Sequence, residues 1–279
     1  MKLLTLGANG MLGAYIMSYL SPMYDMIPLT RRDIDIFASF QDKVLTERMN
    51  ELLDTHMPNV VINCAGVTNI RDTLSVAEMY VVNGYFPYVL SCLCKRKNIE
   101  LIHPSTDCVY SGLEGFYTSA DIPNCFNDYG ASKAIAETIS ASIIRVSIIG
   151  EEENCRSLVE WVRSKKGSEV QGYTNHLWNG ITCLEYAKLL HDIISKNDYW
   201  VGIRTYGSLY KGEDHITKYE LLQELSRVYN LELTITPVNT EIKCDRTLRP
   251  DYTVDTDLHD QILEMKAYGS PLSNRSQFN

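Results

Sequence analysis

Tyr129 and Lys133 are the two residues whose types and spacing most directly suggest chemistry. They stand four apart in Tyr129 to Ile139, a segment whose Ala, Ser, Lys and Glu content favours helix, so both side chains project from one face. That spacing sets an ammonium beside a phenol. A free tyrosine, with a pKa of about 10, is a poor proton donor or acceptor at neutral pH, and a fixed positive charge nearby moves it toward working range. The pair predicts a proton-transfer tyrosine, although the same two residues at helical spacing also occur on solvated faces.

Ser105-Thr106-Asp107 closes a predicted strand upstream. Consecutive elements tend to be neighbours, so this strand end should lie near the Tyr129 helix. A hydroxyl from Thr106 can then hydrogen-bond a carbonyl while Tyr129 protonates it. Cys108 is two residues on, and if the strand continues it faces the same side as Thr106. There it serves either as a reactive thiol or as a small buried hydrophobe.

Gly7, Gly10 and Gly13 are spaced Gly-x-x-Gly-x-x-Gly, wider in the first gap than the dinucleotide fingerprint. The physical need is the same: backbone must turn tightly and approach a pyrophosphate held at the positive end of a helix. A merely tight strand-to-helix turn is the alternative. Thr30-Arg31-Arg32 follows the second predicted strand, where an acidic residue would bind the adenosine ribose of NAD. Two guanidinium groups there can pair with a 2′-phosphate, which favours NADPH while leaving NADH possible. Asp33 or Asp35 can still touch the adenosine, and two arginines on a solvated turn remain the plain alternative.

These residues need elements to position them. Leu3 to Leu6 reads as a buried strand, followed by a helix from Met11 to Leu20, a strand from Met26 to Leu29 and a helix from about Phe40 to His56. Asn59 to Gly66 gives a third strand and a tight turn. A helix from Val76 to Lys97 leads to the strand Glu100 to Pro104, and Gly112 to Asn127 reads as an irregular loop. Ile143 to Ile149 is the next strand and Arg156 to Arg163 a helix. Strands alternating with helices predict an α/β fold: a Rossmann-type, doubly wound parallel sheet over residues 1–150, with ligands at the strands' carboxyl ends. Residues 151–279 predict a smaller mixed α/β lobe for substrate, with chain crossings back to the sheet allowed. In it, Glu169 to Tyr173, Ile203 to Tyr206 and Leu231 to Pro237 read as strands, and Leu184 to Ser195 and Lys218 to Tyr229 as helices. The polar tail from Tyr268 reads as frayed.

At 279 residues the chain suits one large or two unequal domains. A net charge of -9 argues against general affinity for nucleic acid or an anionic membrane, so an anionic ligand must meet a local positive site. Eight scattered cysteines, Cys155 among them, form no Cys-x-x-Cys pair and suggest a reducing, cytoplasmic compartment. The apolar run at the start stops at Gly7, too soon for a signal peptide, and no segment approaches the ~20 apolar residues of a membrane span. The histidines lack metal-ligand spacing. His176 and Trp178 lie in a turn-rich run, Asn175 to Gly180, that either lines a cleft or is solvated loop.

The motifs Gly7-Ala8-Asn9-Gly10-Met11-Leu12-Gly13, Asn63-Cys64-Ala65-Gly66, Ser105-Thr106-Asp107-Cys108-Val109-Tyr110, Asp121-Ile122-Pro123-Asn124 and Tyr129-Gly130-Ala131-Ser132-Lys133 resemble the extended short-chain dehydrogenase/reductases. Within them the chain is similar to the dTDP-4-dehydrorhamnose reductase branch over roughly residues 1–260, and Arg249-Pro250 resembles that branch's late Arg-Pro motif. The resemblance implies that Thr106, Tyr129 and Lys133 form a catalytic trio, with Lys133 also holding the nicotinamide ribose. It implies that Asn9, Met11 and Leu12 of the turn, together with Asn63, Ala65, Gly66 and Asn83, lie along an NADPH cofactor. It implies hydride transfer to C4 of a nucleotide-linked 4-keto-6-deoxy sugar in a homodimeric enzyme, with Thr68, Asp107, His176, Trp178 and Arg249 on the substrate side.

Simple reductases of this branch usually carry tyrosine at the position of Cys108. Enzymes that epimerise as well as reduce are similar to this chain in having cysteine, which implies proton removal at C3 or C5 by Cys108; no second acid is evident in the sequence. The regulatory subunit of methionine adenosyltransferase resembles the same branch, and implies an alternative role as an NADP-binding, non-catalytic partner.

Overall fold

The computed structural model describes residues 1–68, 75–152 and 157–271. In its first half strands and helices alternate: β1 (Lys2–Leu6), α1 (Met11–Leu20), β2 (Asp25–Leu29), α2 (Ile36–Gln41), α3 (Leu45–His56), β3 (Val60–Asn63), α4 (Val76–Tyr80), α5 (Phe86–Lys97), β4 (Glu100–Ser105), α6 (Asp128–Ala136) and β5 (Ser142–Arg145). The remainder holds β6 (Ile148–Ile149), α7 (Leu158–Ser164), β7 (Glu169–Tyr173), β8 (His176–Trp178), β9 (Ile181–Thr182), α8 (Cys183–Lys196), β10 (Gly202–Gly207), β11 (Ile216–Thr217), α9 (Lys218–Tyr229), β12 (Thr234–Val238), β13 (Cys244–Asp245), β14 (Tyr252–Thr253) and α10 (Leu258–Tyr268).

Seven strands form one parallel sheet in the order β14-β10-β5-β4-β3-β1-β2. The fold is α/β and Rossmann-like. Alternation along each strand divides the core in two. Leu3, Val60, Ile62, Ile102 and Ile144 pack on one face with α1, α8 and α10, while Leu4, Leu6, Val61, Leu101 and Ile143 pack on the other with α3 and α5. The order reverses between β1 and β3, and the register aligns Leu6 with both Leu29 and Asn63. The carboxyl ends of these strands therefore open on a common cleft, where such sheets bind ligands.

Several elements differ from the sequence reading. The helix expected from Phe40 to His56 is two helices, because the Asp35 side chain caps α2 from the Ala38 amide and Lys43 turns the chain at φ 60. The helix from Val76 to Lys97 is continuous but carries a π-turn at Val81–Tyr85. The strand expected from Ile143 to Ile149 breaks after Arg145, and Ile148–Ile149 pairs instead with β9. Ile203 to Tyr206 lies not in the smaller lobe but in β10, hydrogen-bonded to β5 in the main sheet. The run holding His176 and Trp178 is a strand, with Trp178 buried. Tyr268 is not frayed: it ends α10, an apolar-faced helix the sequence reading did not assign, stacks 6.1 Å from Tyr15 and bonds Ser18 at 2.7 Å. Cys155, the start of the Arg156 helix and the tail beyond 271 lie outside the described residues.

The smaller lobe contains the three-stranded sheet β11-β8-β13 and the pair β12-β7. Its register sets Cys244 beside His176 and Ile216 beside Trp178, so Lys218, just past β11, and Arg246, just past β13, flank one small sheet.

Candidate active site

The cleft at the switch point is lined by Gly7, Asn9, Gly10, Arg31, Asp35 and Gly66, among others. Its floor is the strand-to-helix turn. A Cβ at Gly13 would sit 2.2 Å from the Gly7 carbonyl oxygen, and one at Gly7, where φ is +69, would sit 2.8 Å from the backbone of Cys64 and Ala65. Only glycine permits that approach of α1, β1 and the turn after β3. Gly10 is the helix N-cap and Met11 and Leu12 open α1, so the first helical turn, with its amides free of intrahelical partners, begins at the edge of the cleft.

Arg31 reaches across the cleft mouth, with Nε 2.8 Å from Asp35 and Nη2 3.3 Å from Glu78. Arg32 is exposed and does not line the cleft, so the structure separates the two arginines. Asn63 closes β3, its Nδ2 3.2 Å from His103 and its buried Oδ1 without a hydrogen-bond partner. Asn83, inside the π-turn, clamps both backbone groups of Val67 at 2.9 Å and donates to the Ser132 hydroxyl at 3.1 Å. It joins the segment after β3 to α6. Thr68 is exposed, and the stretch that follows it, 69–74, lies outside the described residues.

Thr106, Tyr129 and Lys133 converge at the carboxyl end of β4. Asn127 caps α6 by accepting from the Gly130 amide at 2.8 Å, which starts the helix one residue before Tyr129. Gly130 is required here because a Cβ would meet the Cys108 carbonyl at 2.2 Å. Burial, then Cys108 and Asp107, holds the Tyr129 pKa above the usual tyrosine range, with the neighbouring Thr106 hydroxyl acting in the opposite sense. The sequence reading expected the opposite shift. The reason is geometric: Lys133 directs its Nζ at the Pro104 carbonyl, 2.7 Å away, and the phenol is dominated by desolvation. Burial also brings the Lys133 ammonium down to about 8, opposed by Glu137 and Cys64.

Beyond Thr106 the strand does not continue. Residues Asp107–Val109 form a 3-10 turn, and the Thr106 hydroxyl accepts from the Cys108 amide at 3.1 Å and donates to Asp107 at 3.0 Å. Cys108 is therefore placed by the turn and not by strand alternation. Burial first and Asp107 second push its thiol up to about 12, while Arg246, with Nη1 3.9 Å from Sγ, works against them.

Lys218 and Arg246 were not singled out in the sequence. No motif marks them; the only signal was that an acidic chain must supply a local positive site. The small sheet brings both to the Asp107–Cys108 side of the site. Lys218 Nζ lies 5.0 Å over the Trp178 ring, and burial lowers its pKa. His176 bonds the Thr240 hydroxyl at 2.9 Å and is shifted down by burial, then by Lys218 and Arg246. Trp178 itself is anchored in the lobe by an Nε1 bond to Ser147 at 2.7 Å. Arg249 is exposed and lines a second cleft with Asn179, Ser208 and Leu248.

Behind the trio runs a buried polar cluster. Arg145 is fully buried and pairs bidentately with Glu137 at 2.7 Å through both Nε and Nη2. Ser105 donates to the same carboxylate at 2.6 Å, and Arg145 Nη1 donates to the Tyr110 hydroxyl at 2.6 Å.

A parallel sheet with a glycine-lined switch-point cleft and a Tyr-Lys helix beside it defines a Rossmann-like α/β protein. Residues 1–259 match the family model described as the RmlD substrate binding domain, and the chain belongs to that family. It is similar to the probable low-salt glycan biosynthesis reductase Agl14 of Haloferax volcanii, 34% identical over 184 residues that make up 57% of this chain and 58% of that protein. It is also similar to a dTDP-4-dehydrorhamnose reductase of Aggregatibacter actinomycetemcomitans, 32% identical over 152 residues, 53% of this chain and 49% of that one. The chain thus spans about half the length of the curated relatives it matches. Its fold matches the crystal structure of dTDP-4-dehydrorhamnose reductase from Bacillus anthracis in complex with NADP, with a TM-score of 0.82 and 18% identity over 96% of this chain and 99% of that one.

Proposed function

We propose that the chain is an NADPH-dependent reductase of the C4 keto group of a nucleotide-activated 4-keto-6-deoxy sugar. The observation that carries this reading is the convergence of Thr106, Tyr129 and Lys133 at the end of β4, beside a cleft whose floor only glycine can form. The relatives from Haloferax volcanii and Aggregatibacter actinomycetemcomitans, both named as reductases, and the NADP complex of the Bacillus anthracis structure support it.

In this reading Gly7, Asn9, Gly10 and Gly13, with the first amides of α1, hold the cofactor's pyrophosphate. Arg31 and Asp35 flank its adenosine end, and Asn63, Ala65 and Gly66 follow it inward. Bound there, NADPH supplies the hydride. Thr106 orients the carbonyl, Tyr129 gives the oxygen its proton, and Lys133 holds the nicotinamide ribose. A phenol whose pKa lies above the usual range is fully protonated at neutral pH, the state a donor needs. Residues 1–150 serve the cofactor; His176, Trp178, Lys218, Arg246 and Arg249, from the rest of the chain, serve the nucleotide sugar.

The reading extends to proton exchange at C3 or C5 through Cys108; burial holds that thiol protonated in the free protein, so the exchange requires Arg246, beside its sulfur, to stabilise the thiolate once substrate is bound. A screen of 4-keto-6-deoxy nucleotide sugars tests the whole. NADPH oxidation is expected with at least one dTDP, UDP or GDP sugar, reduced about 10²- to 10⁴-fold in Tyr129→Phe, and absence of turnover across the series rejects the reductase. Run in deuterated solvent, the same reactions should place label at C3 or C5 of product, lost in Cys108→Ser; unlabelled product limits the chemistry to reduction.

A further inference from the structure

Lys133 and Glu137 stand four apart on one face of α6 and its C-cap, both less than a tenth exposed. They dock on consecutive residues of β4. Lys133 donates to the carbonyl of Pro104, and Glu137 accepts from the hydroxyl of Ser105. The far side of the Glu137 carboxylate is taken by Arg145, fully buried on β5. The carboxylate is thus ion-paired with Arg145 and lies one helical turn from the Lys133 ammonium, which acts on it through space and not by direct contact. We propose that Glu137 is a positioning residue that keeps Lys133 charged and aimed along β4, with Ser105 and Arg145 fixing the carboxylate in place.

The other titratable groups around Lys133 cannot supply that counter-charge. Cys64, at the end of β3, is pushed up to about 12 by burial and stays a neutral thiol. His103 on β4 is held neutral, well below its ordinary value, by burial and by Lys133 itself. Tyr129 on the same helix keeps its proton. Glu137 is the leading group that raises Lys133 against desolvation. A nearby anion favours the charged form of a buried ammonium, and in a low-dielectric setting its loss leaves Lys133 without its leading counter-charge and Arg145 without its ion-pair partner.

The proposal rests on the reductase reading for its relevance to turnover, but its test does not. Lysine ε-carbon NMR on the full chain, with the Lys133 signal assigned by its absence in Lys133→Arg, follows the titration directly. In Glu137→Gln the midpoint is expected to fall by roughly one pH unit or more, and in Glu137→Asp to stay near that of the parent. An unchanged midpoint in folded Glu137→Gln overturns the proposal. Should that variant fail to fold, Ser105→Ala, which loosens the carboxylate but leaves its charge, is expected to give a smaller fall, and no fall there overturns the proposal. The alkaline limb of kcat/KM should move in the same sense in the same variants. A parent protein that turns over no nucleotide sugar rejects the reductase reading and leaves the NMR midpoint to decide the role of Glu137.

Discussion

Burial sets the behaviour of the individual side chains at the site. Tyr129 and Cys108 keep their protons, and Lys133 gives its up unusually early, because each loses water that its charged form needs. A buried lysine costs stability. Its folded pKa is depressed below its unfolded value, so the cost is present in full below about 8, at the folded pKa, and fades as pH climbs toward the ordinary lysine value. Lys133→Met is therefore expected to melt higher than the parent at neutral pH, with the gap closing at alkaline pH, while losing NADPH-dependent turnover; thermal melts across that pH range measure it. A variant that melts lower at neutral pH would mean that the bond to Pro104 outweighs desolvation. At this scale the sequence made Thr106, Tyr129 and Lys133 legible through type and spacing. It could not reveal Lys218 or Arg246, because they reach the site only through pairing of β8, β11 and β13, far apart in the chain.

Elements position these residues through a few local devices. Gly13 lets α1 lie against the Gly7 carbonyl, whereas a Cβ at Gly10 would meet the same oxygen at 3.4 Å, ordinary contact. Gly13→Ala must push α1 off β1; it is expected to lose about 1–3 kcal/mol of stability and measurable NADPH binding. Gly10→Ala should fold like the parent. Denaturant unfolding and calorimetric titration of both variants check the contrast, and equal behaviour would contradict the packing argument. Thr217, the capping-box residue of α9, holds Lys218 at the helix start. Thr217→Ala is expected to cost about 1 kcal/mol and to weaken nucleotide-sugar binding more than NADPH binding. Periodicity gave the buried strands and the long helices other than α10. It missed the break at Lys43, a non-glycine residue at positive φ, and the π-turn that aims Asn83 at Val67 and Ser132. Both depend on tertiary contacts that no local pattern encodes.

At the scale of the molecule, residues beyond 200 complete the main sheet. β10 lies beside β5 and β14 beside β10, while α8 packs on α1. The sequence placed the end of the cofactor half at residue 150, with the alternation loosening from Gly167 onward; sheet order, a non-local property, was not readable. Among the described residues no helix is long and apolar enough to cross a membrane. A chain truncated after residue 200 is expected to aggregate on expression instead of yielding a folded cofactor-binding fragment, since β5 would present an unpaired edge; soluble, NADPH-binding fragment would refute this.

The same sheet order matters during synthesis. When β5 leaves the ribosome its neighbour on one side, β10, has not been made, and the strand that covers β10 comes later still. At roughly 5–20 residues per second, the nascent chain must carry an open, apolar sheet edge for several seconds. Translation speed over residues 146–253, and holdase chaperones that shield that edge, should therefore govern how much active protein a cell recovers.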